Sequence, residues 1–327
     1  MLQQKPLVSI LCIAFNHESY IRESIQSFLS QKADFPLEMI IHDDASTDST
    51  PIIIREYCDK NPELIKPMLQ SENQFSKYGF SFLSALFEKA QGKYIALCEG
   101  DDYWIDPLKL QKQVDFLEAN PDFSICFHKV LLLENGQLRP DDMTQVPSQI
   151  STIVDLARGN YIHTPSCMFR NYDPKVFGSH FSDSPVGDYY IHMMNAQFGK
   201  IYCIDEAMAV YRLHNQSTWS SKDQLYREIN FQKTRLAVLK DLMPSSNEAI
   251  QTLYQVYLDQ ALKLYLTTED HSIKNEIAQQ APFFQEYLFE YLLQQSNDLN
   301  EARKEIEQLR KQQLFRRIAR FIRSRLN

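Results

Sequence analysis

Glycine is scarce in this chain, with eight residues in 327. None of the eight falls into a G-x-x-x-x-G-K-[ST] or a G-x-G-x-x-G pattern, which excludes a Walker-type phosphate loop and a dinucleotide fingerprint. The six cysteines (Cys12, Cys58, Cys98, Cys126, Cys167, Cys203) include no C-x-x-C pair. Several sit inside apolar runs, where Cys acts as a small hydrophobe. This argues against a disulfide framework and a zinc site and suits a reducing cytosol. No apolar stretch reaches the roughly 18 residues that a spanning helix needs. Met1 to Pro6 lacks the apolar segment of a signal peptide. The expected location is therefore cytoplasmic.

Basic charge is also short. Lys and Arg number 34 against 42 Asp and Glu, a formal charge of −8, so the body is not expected to bind nucleic acid. The charge is uneven. From Gln308 onward stand seven basic residues (Arg310, Lys311, Arg316, Arg317, Arg320, Arg323, Arg325) and no acid, leaving a body near −15 and a tail of +7. Phe315, Ile318, Phe321 and Ile322 oppose those arginines at helical spacing. Residues 300–327 are thus expected to form a basic amphipathic helix, suited to the inner face of an anionic cell membrane, to a protein partner, or to plain solvation.

What the chain has is a series of short apolar runs that end in polar clusters. Leu7 to Phe15 is nearly continuous, as for a strand buried on both faces, and stops at Asn16-His17-Glu18. Ile21, Ile25, Phe28 and Leu29 then recur at helical spacing. Leu37 to Ile41 is a second run, ending in His42-Asp43-Asp44-Ala45-Ser46-Thr47-Asp48. Thr50-Pro51 predicts a helix start, with Thr50 as its cap, and an end near Tyr57. Ile65 to Leu69 predicts a strand weakened by Pro67. A helix over Phe80 to Ala90 follows, then a strand over Tyr94 to Cys98. Asp106-Pro107 opens another helix, and Phe123 to Leu133 runs as a strand into the Asn135-Gly136 turn. The pattern predicts an α/β fold with a mainly parallel sheet flanked by helices. Further on, Gly187 to Phe198 predicts a helix, and Lys200–Ile204 and Met208–Leu213 two strands. Helical periodicity dominates after 220, so the expected layout is a domain over 1–220, a helical region over 221–299 and the basic helix over 300–327.

Parallel sheets bind ligands at the carboxyl ends of their strands. Three polar clusters, Ala14-Phe15-Asn16, Asp43-Asp44 and Glu99-Gly100-Asp101-Asp102, lie at such ends and are expected to share one rim. Three carboxylates within four residues at a strand end repel one another unless a cation sits among them. Oxygen ligands alone select Mg²⁺ or Mn²⁺, which commonly also holds a phosphorylated ligand. Either Asp43 or Asp44 could accept the imide N–H of a uracil ring. Asp141-Asp142 has no strand before it and is expected to be solvated loop.

These residues carry a resemblance. The runs Val8 to Asn16, Ile41 to Asp48 and Leu97 to Asp102, followed in order by Gly187-Asp188-Tyr189, Gly199-Lys200-Ile201 and Tyr211-Arg212-Leu213-His214, closely resemble the family 2 glycosyltransferases over about residues 6–220. The resemblance implies a GT-A (Rossmann-like) fold, a nucleotide-sugar donor, Mg²⁺ or Mn²⁺, and inversion at the anomeric carbon. By matching position it implies Ala14, Asn16, Asp43 and Asp44 around the nucleoside, Asp101 and Asp102 at the metal and the donor, and Arg212 at the diphosphate. Asp188 is implied as the catalytic base and His214 as a further metal contact. Glu99 stands where the family more often has Asp, which leaves its role as a direct ligand open. The expected acceptor is a glycan or lipid-linked hydroxyl in cell-surface polysaccharide synthesis, and the oligomeric state is unknown.

Plainer readings compete. Asp101-Asp102 and Asp188 could be helix or turn caps, Asp43-Asp44 turn formers, and His214 a structural side chain. As a whole the chain could be a catalytically silent nucleotide-sugar-binding scaffold. A nucleotidyltransferase would need a Gly-rich basic loop after the first strand, and Ala14-Phe15-Asn16-His17 is not one.

Overall fold

The computed structural model describes residues 5–280 apart from 174, 175, 216, 218, 220, 244 and 245, so the expected basic helix over 300–327 lies outside the described residues. The chain divides into two compact units, Met1–Leu253 and Tyr254–Asn327. The first carries the sheet. The second, where described, holds the end of a long helix over Asn247–Thr267 and a helix over His271–Gln280.

The sheet begins with the buried runs. Strands β1 (Val8–Ala14), β2 (Leu37–Asp43), β3 (Ile65–Leu69) and β4 (Tyr94–Glu99) pair in parallel in the spatial order β3-β2-β1-β4. The chain moves outward from β1 to β3 and then returns to the other side of β1. The strand order therefore reverses between β1 and β4, which is where α/β sheets open a ligand crevice. Pro67 sits in β3, the edge strand, where a missing N–H is tolerated.

Helices α1 (Ile21–Leu29) and α2 (Thr50–Lys60) lie between β1, β2 and β3 in the chain. Ile21, Ile25 and Phe28 of α1 are at most 1% exposed, and burial of each stabilises the fold by about 2 kcal/mol. Ser24 lies on the same buried face. Its hydroxyl bonds to the carbonyls of Gly100 (2.8 Å) and Asp102 (2.6 Å), stitching the helix to the loop after β4. The expected cap of α2 is different in the fold. Thr50 is the first helical residue, and its hydroxyl accepts from the His17 backbone N–H at 2.8 Å. The helix also runs on to Lys60 rather than stopping near Tyr57.

A short helix α3 (Gln74–Tyr78) and α4 (Leu83–Lys89) precede β4; the expected Phe80–Ala90 helix has a 3₁₀ turn over Gly79–Phe82 in place of its first residues. After β4 come the two-residue strand β5 (Tyr103–Trp104) and helix α5 (Lys109–Ala119), which starts two residues beyond Pro107. β6 (Phe123–Glu134) and β7 (Gln137–Pro140) form a hairpin. Its turn residues, Asn135 and Gly136, have φ of 51° and 77°, the left-handed values that a two-residue turn between twisted strands requires.

Beyond β7 lie β8 (Ile150–Ser151), α6 (Ile153–Arg158), β9 (Met168–Arg170) and α7 (Gly187–Ala196). β9 runs antiparallel between β4 and β6, pairing only with Tyr94–Ala96 of β4, so the tip of β4 has no strand neighbour on that side. The two strands expected over 200–213 are one, β10 (Lys200–Leu213), parallel to β6 with register shifts between Ile204 and Ala209. The solvated Asp205 and Glu206 interrupt its apolar pattern there without ending the strand. Helix α8 (Gln224–Asp241) follows and packs against α7. Among the described residues no helix is long and apolar enough to cross a membrane.

Candidate active site

The tips of β2, β1 and β4 are adjacent, and register places Ala14 beside Asp43 and Ile13 beside Glu99. Asn16 and Ala45 both adopt left-handed backbone, with φ of 56° and 60°. The two loops hold each other there. The Asn16 N–H bonds to Ser46 Oγ, the Asn16 side-chain oxygen accepts from the Thr47 N–H, and the Asp44 N–H bonds to the Ala14 carbonyl.

Asp43 and Asp44 are both buried but differ in what they hold. Asp44 accepts from the Gln74 N–H at 2.6 Å with one oxygen and from the Phe75 N–H at 3.1 Å with the other, fixing the start of α3. Asp43 accepts from the Ser46 N–H through Oδ2, while its buried Oδ1 has no partner. Burial pushes the Asp43 carboxyl up from its ordinary value.

The loop after β4 carries the acidic cluster. Gly100 is pinned by its N–H to the Ile13 carbonyl, and a Cβ there would lie 2.9 Å from Ile21 and 3.0 Å from Ala14 and His17. A side chain at this point would have to push these neighbours aside. The carboxylates of Glu99, Asp101 and Asp102 then converge, with one oxygen from each lying within 4.8 Å of the others. Asp101 Oδ2 contacts His214 Nε2 at 2.9 Å and His17 Nε2 at 3.7 Å. Asp102 Oδ1 accepts from the Arg212 backbone N–H at 2.8 Å. Asp101 Oδ1 and Asp102 Oδ2 are buried without a partner.

The three carboxylates titrate differently. Burial, with the charges of Asp101 and Asp188, pushes Glu99 up to about 8. Burial, with Asp101 and Glu99, also drives Asp102 well up. Burial works the same way on Asp101, but its contact with His214 and the charge of His17 hold it below its ordinary value. Two orphaned buried carboxylate oxygens, converging with the carboxylate of Glu99, are the kind of donors that a hard divalent cation takes, so the residues fit such an ion.

Arg212 is used internally. Its guanidinium bonds to the Asp101 carbonyl and to Glu23, and lies 5.1 Å from the Tyr20 ring centroid and 4.6 Å from that of Tyr103. Such a brace fixes the acidic loop from β10.

Asp188 sits in the first turn of α7, half-buried, with Oδ2 accepting from the Asn160 side-chain amide at 3.1 Å. Burial pushes its carboxyl up. A cavity of about 570 Å³ is lined by Asp188 together with Glu99, Asn160, His163, Tyr211 and Trp219, among others. A second, of about 600 Å³, is lined by Tyr20, Arg139, Arg212, His214 and Arg227, and the two share Met143, Asn215 and Ser221. Glu99 joins the acidic cluster to the cavity that holds Asp188. The fold thus brings together Glu99, Asp101, Asp102, His214 and the backbone of Arg212, places Asp188 across the cavity, and sets Ala14, Asn16, Asp43 and Asp44 at the neighbouring strand tips.

Sequence reasoning missed His17, Ser24, Asn160 and His163. His17 follows a strand end and Ser24 interrupts the apolar stripe of α1, so both left a trace. Asn160 and His163 are distant in sequence from their partners and left none.

A mixed sheet with an acidic cluster at its switch point has the architecture of the GT-A fold. Among solved structures the chain is similar to S. aureus TarS in complex with UDP-GlcNAc, at a TM-score of 0.61 and 17% identity over 84% of this chain and 81% of that one, which shows the fold. Residues 9–181 match the model for glycosyl transferase family 2, and the chain belongs to this family. An uncharacterized protein of Mycobacterium tuberculosis is 42% identical over 217 residues, which make up 65% of this chain and 61% of that protein, so the chain spans less than two thirds of that relative. A Bacillus subtilis protein with the provisional name teichuronic acid biosynthesis glycosyltransferase TuaG is 29% identical over 238 residues, 70% of this chain and 90% of the relative.

Proposed function

We propose that the protein transfers a sugar with inversion from a nucleoside diphosphate donor, UDP-linked, to a hydroxyl of a glycan or lipid-linked acceptor in cell-surface polysaccharide synthesis. The observation that carries this reading is the cluster of Glu99, Asp101 and Asp102, with orphaned oxygens on Asp101 and Asp102, in which Glu99 lines the same cavity as Asp188. The name of TuaG and the UDP-GlcNAc bound by TarS support the pathway and the donor class.

In this reading Asp43, not Asp44, takes the imide N–H of uracil, because its Oδ1 is unused and both oxygens of Asp44 are occupied. Asp101 and Asp102, with His214 beside them, would hold Mg²⁺ or Mn²⁺. A bound ion of this kind neutralises the charge that the leaving diphosphate develops. Arg212 positions the acidic loop rather than touching the diphosphate. Asp188, oriented by Asn160, takes the proton of the attacking hydroxyl. Its upward shift brings it closer to the range where a carboxylate is an effective base at neutral pH. The acceptor oxygen bonds to the anomeric carbon as the bond to the diphosphate breaks, which inverts that carbon.

The test is UDP-sugar hydrolysis with and without Mn²⁺. The expected result is turnover that requires the ion and falls by about 10³-fold in Asp101→Ala and Asp188→Ala. Nucleotide-sugar binding without turnover on any acceptor would instead establish the silent scaffold.

A further inference from the structure

A second pair of titratable groups lies at the cavity that holds Asp188, with one member in its lining. His163 lines it, and His163 Nε2 lies 2.9 Å from Asp141 Oδ2. Asp141 is not the solvated loop residue that its sequence suggested. Its side chain is 13% exposed, Oδ1 accepts from the Met143 N–H at 2.8 Å, and Oδ2 also accepts from the Thr144 hydroxyl. The His163 ring packs against Tyr211, with centroids 4.9 Å apart, and the His163 carbonyl is tied to the N–H and hydroxyl of Ser166. The ring is therefore held by Asp141 and Tyr211, and its backbone by Ser166.

The tautomer follows from the partner. Asp141 is an acceptor only, so the neutral imidazole carries its proton on Nε2, and Nδ1 is left as an acceptor. Among the described residues Nδ1 has no partner. An imidazole nitrogen held beside fixed neighbours, on a residue that lines the same cavity as Asp188, suits a sugar hydroxyl, which donates one hydrogen bond and carries no charge.

The geometry points to His163, oriented by Asp141, as the group that grips the acceptor sugar, its Nδ1 accepting from a hydroxyl next to the one that Asp188 deprotonates. This inference rests on the transferase reading and adds which residue selects the acceptor. His163 takes no part in breaking the donor bond. Its loss should redirect the donor from the acceptor to water, whereas loss of Asp188 or Asp101 stops both reactions.

The experiment follows transfer and hydrolysis side by side, using full-length protein, UDP-sugar, Mn²⁺ and a panel of octyl glycosides (glucosyl, galactosyl, mannosyl and N-acetylglucosaminyl). The expected result for His163→Ala is a ratio of transfer to hydrolysis at least about tenfold below wild type, with the glycoside KM raised more than kcat is lowered. His163→Gln, which keeps a side-chain oxygen able to accept from a sugar hydroxyl, should recover part of the ratio. Asp141→Asn should lower it less than His163→Ala does. The melting temperature of each variant separates a lost contact from a lost fold, and His163→Gln and Asp141→Asn decide the matter if His163→Ala does not fold. An unchanged ratio in all three variants, or transfer and hydrolysis falling together, overturns the inference and leaves the transferase reading intact. Wild-type hydrolysis without transfer to any glycoside also overturns it. Absence of both reactions in wild type overturns the parent reading and this one with it.

Discussion

The dipeptide Asp-Asp occurs three times in this chain, at 43–44, 101–102 and 141–142, and the fold treats each copy differently. At 101–102 both side chains are buried and each keeps one oxygen with no donor. At 43–44 only the first keeps one, and the second is consumed by two backbone N–H groups. At 141–142 the first is consumed by His163 and Thr144, and the second is largely solvated beside Arg139. An unpaired buried carboxylate oxygen is costly, and a fold retains it where a ligand will complete it. A doublet therefore marks a site through what its oxygens lack. Its sequence alone does not.

Substitutions can break this ordering. The largest contrast should be Asp102→Asn against Asp142→Asn. The first removes a buried charge with an open oxygen and should lower Mn²⁺-dependent UDP-sugar hydrolysis by about 100-fold or more. The second, on a side chain 73% exposed, should stay within about twofold of wild type in the same assay and within about 0.5 kcal/mol in stability. Equal losses would mean that burial does not separate the doublets.

The 43–44 pair should split by type of effect. In Asp43→Asn an amide N–H replaces the open acceptor, so UDP binding by calorimetry should weaken about tenfold, roughly 1.4 kcal/mol. Its stability at pH 7 should hold or rise, because burial penalises the charge that is removed. Asp44→Asn sets an amide donor against a backbone donor of α3 and should cost about 1–2 kcal/mol in urea unfolding. The reverse assignment would show Asp44 to be the base contact.

A further contrast concerns Asp141. Its contacts with His163 and Thr144 outweigh burial and hold its carboxyl down at about 2, against about 3.9 in an unfolded chain. A depressed carboxylate contributes stability that is complete above the unfolded value and disappears as pH falls through the folded one. Urea unfolding at pH 5, 4, 3 and 2 should show wild type ahead of Asp141→Asn at pH 5, with the gap closing toward pH 2. A constant gap would mean that the pair is held by packing rather than by charge.

How much of this was legible beforehand followed sequence distance. The buried strands announced themselves as apolar runs, and because β1, β2 and β4 are parallel their polar tips had to share a rim. Asp188 and His214 followed from the family pattern. What failed to show was anything decided by a partner far along the chain. Asp141 looked solvated because His163 lies 22 residues away. Thr50 looked like a cap because nothing local revealed that its hydroxyl serves the His17 N–H. Asp205 and Glu206 looked like the end of a strand because a bulge in β10 has no apolar signature of its own.

The short strand β9 bears on how such a protein can be altered. Phe169 pairs with Ile95 on one side and Ile125 on the other, and Arg170 bonds to the carbonyls of Leu117, Asn120 and Phe123. Met168–Arg170 thus anchor to the sheet the later part of the excursion between the β6–β7 turn and α7, as β7 and β8 anchor its earlier part, and one wall of the Asp188 cavity belongs to that excursion. The strand tips at 43–44 and 101–102 lie outside it. The segment is in effect a cassette with its own rivet: a replacement that keeps Met168–Arg170 in register can change that wall while the strand tips stay where they are.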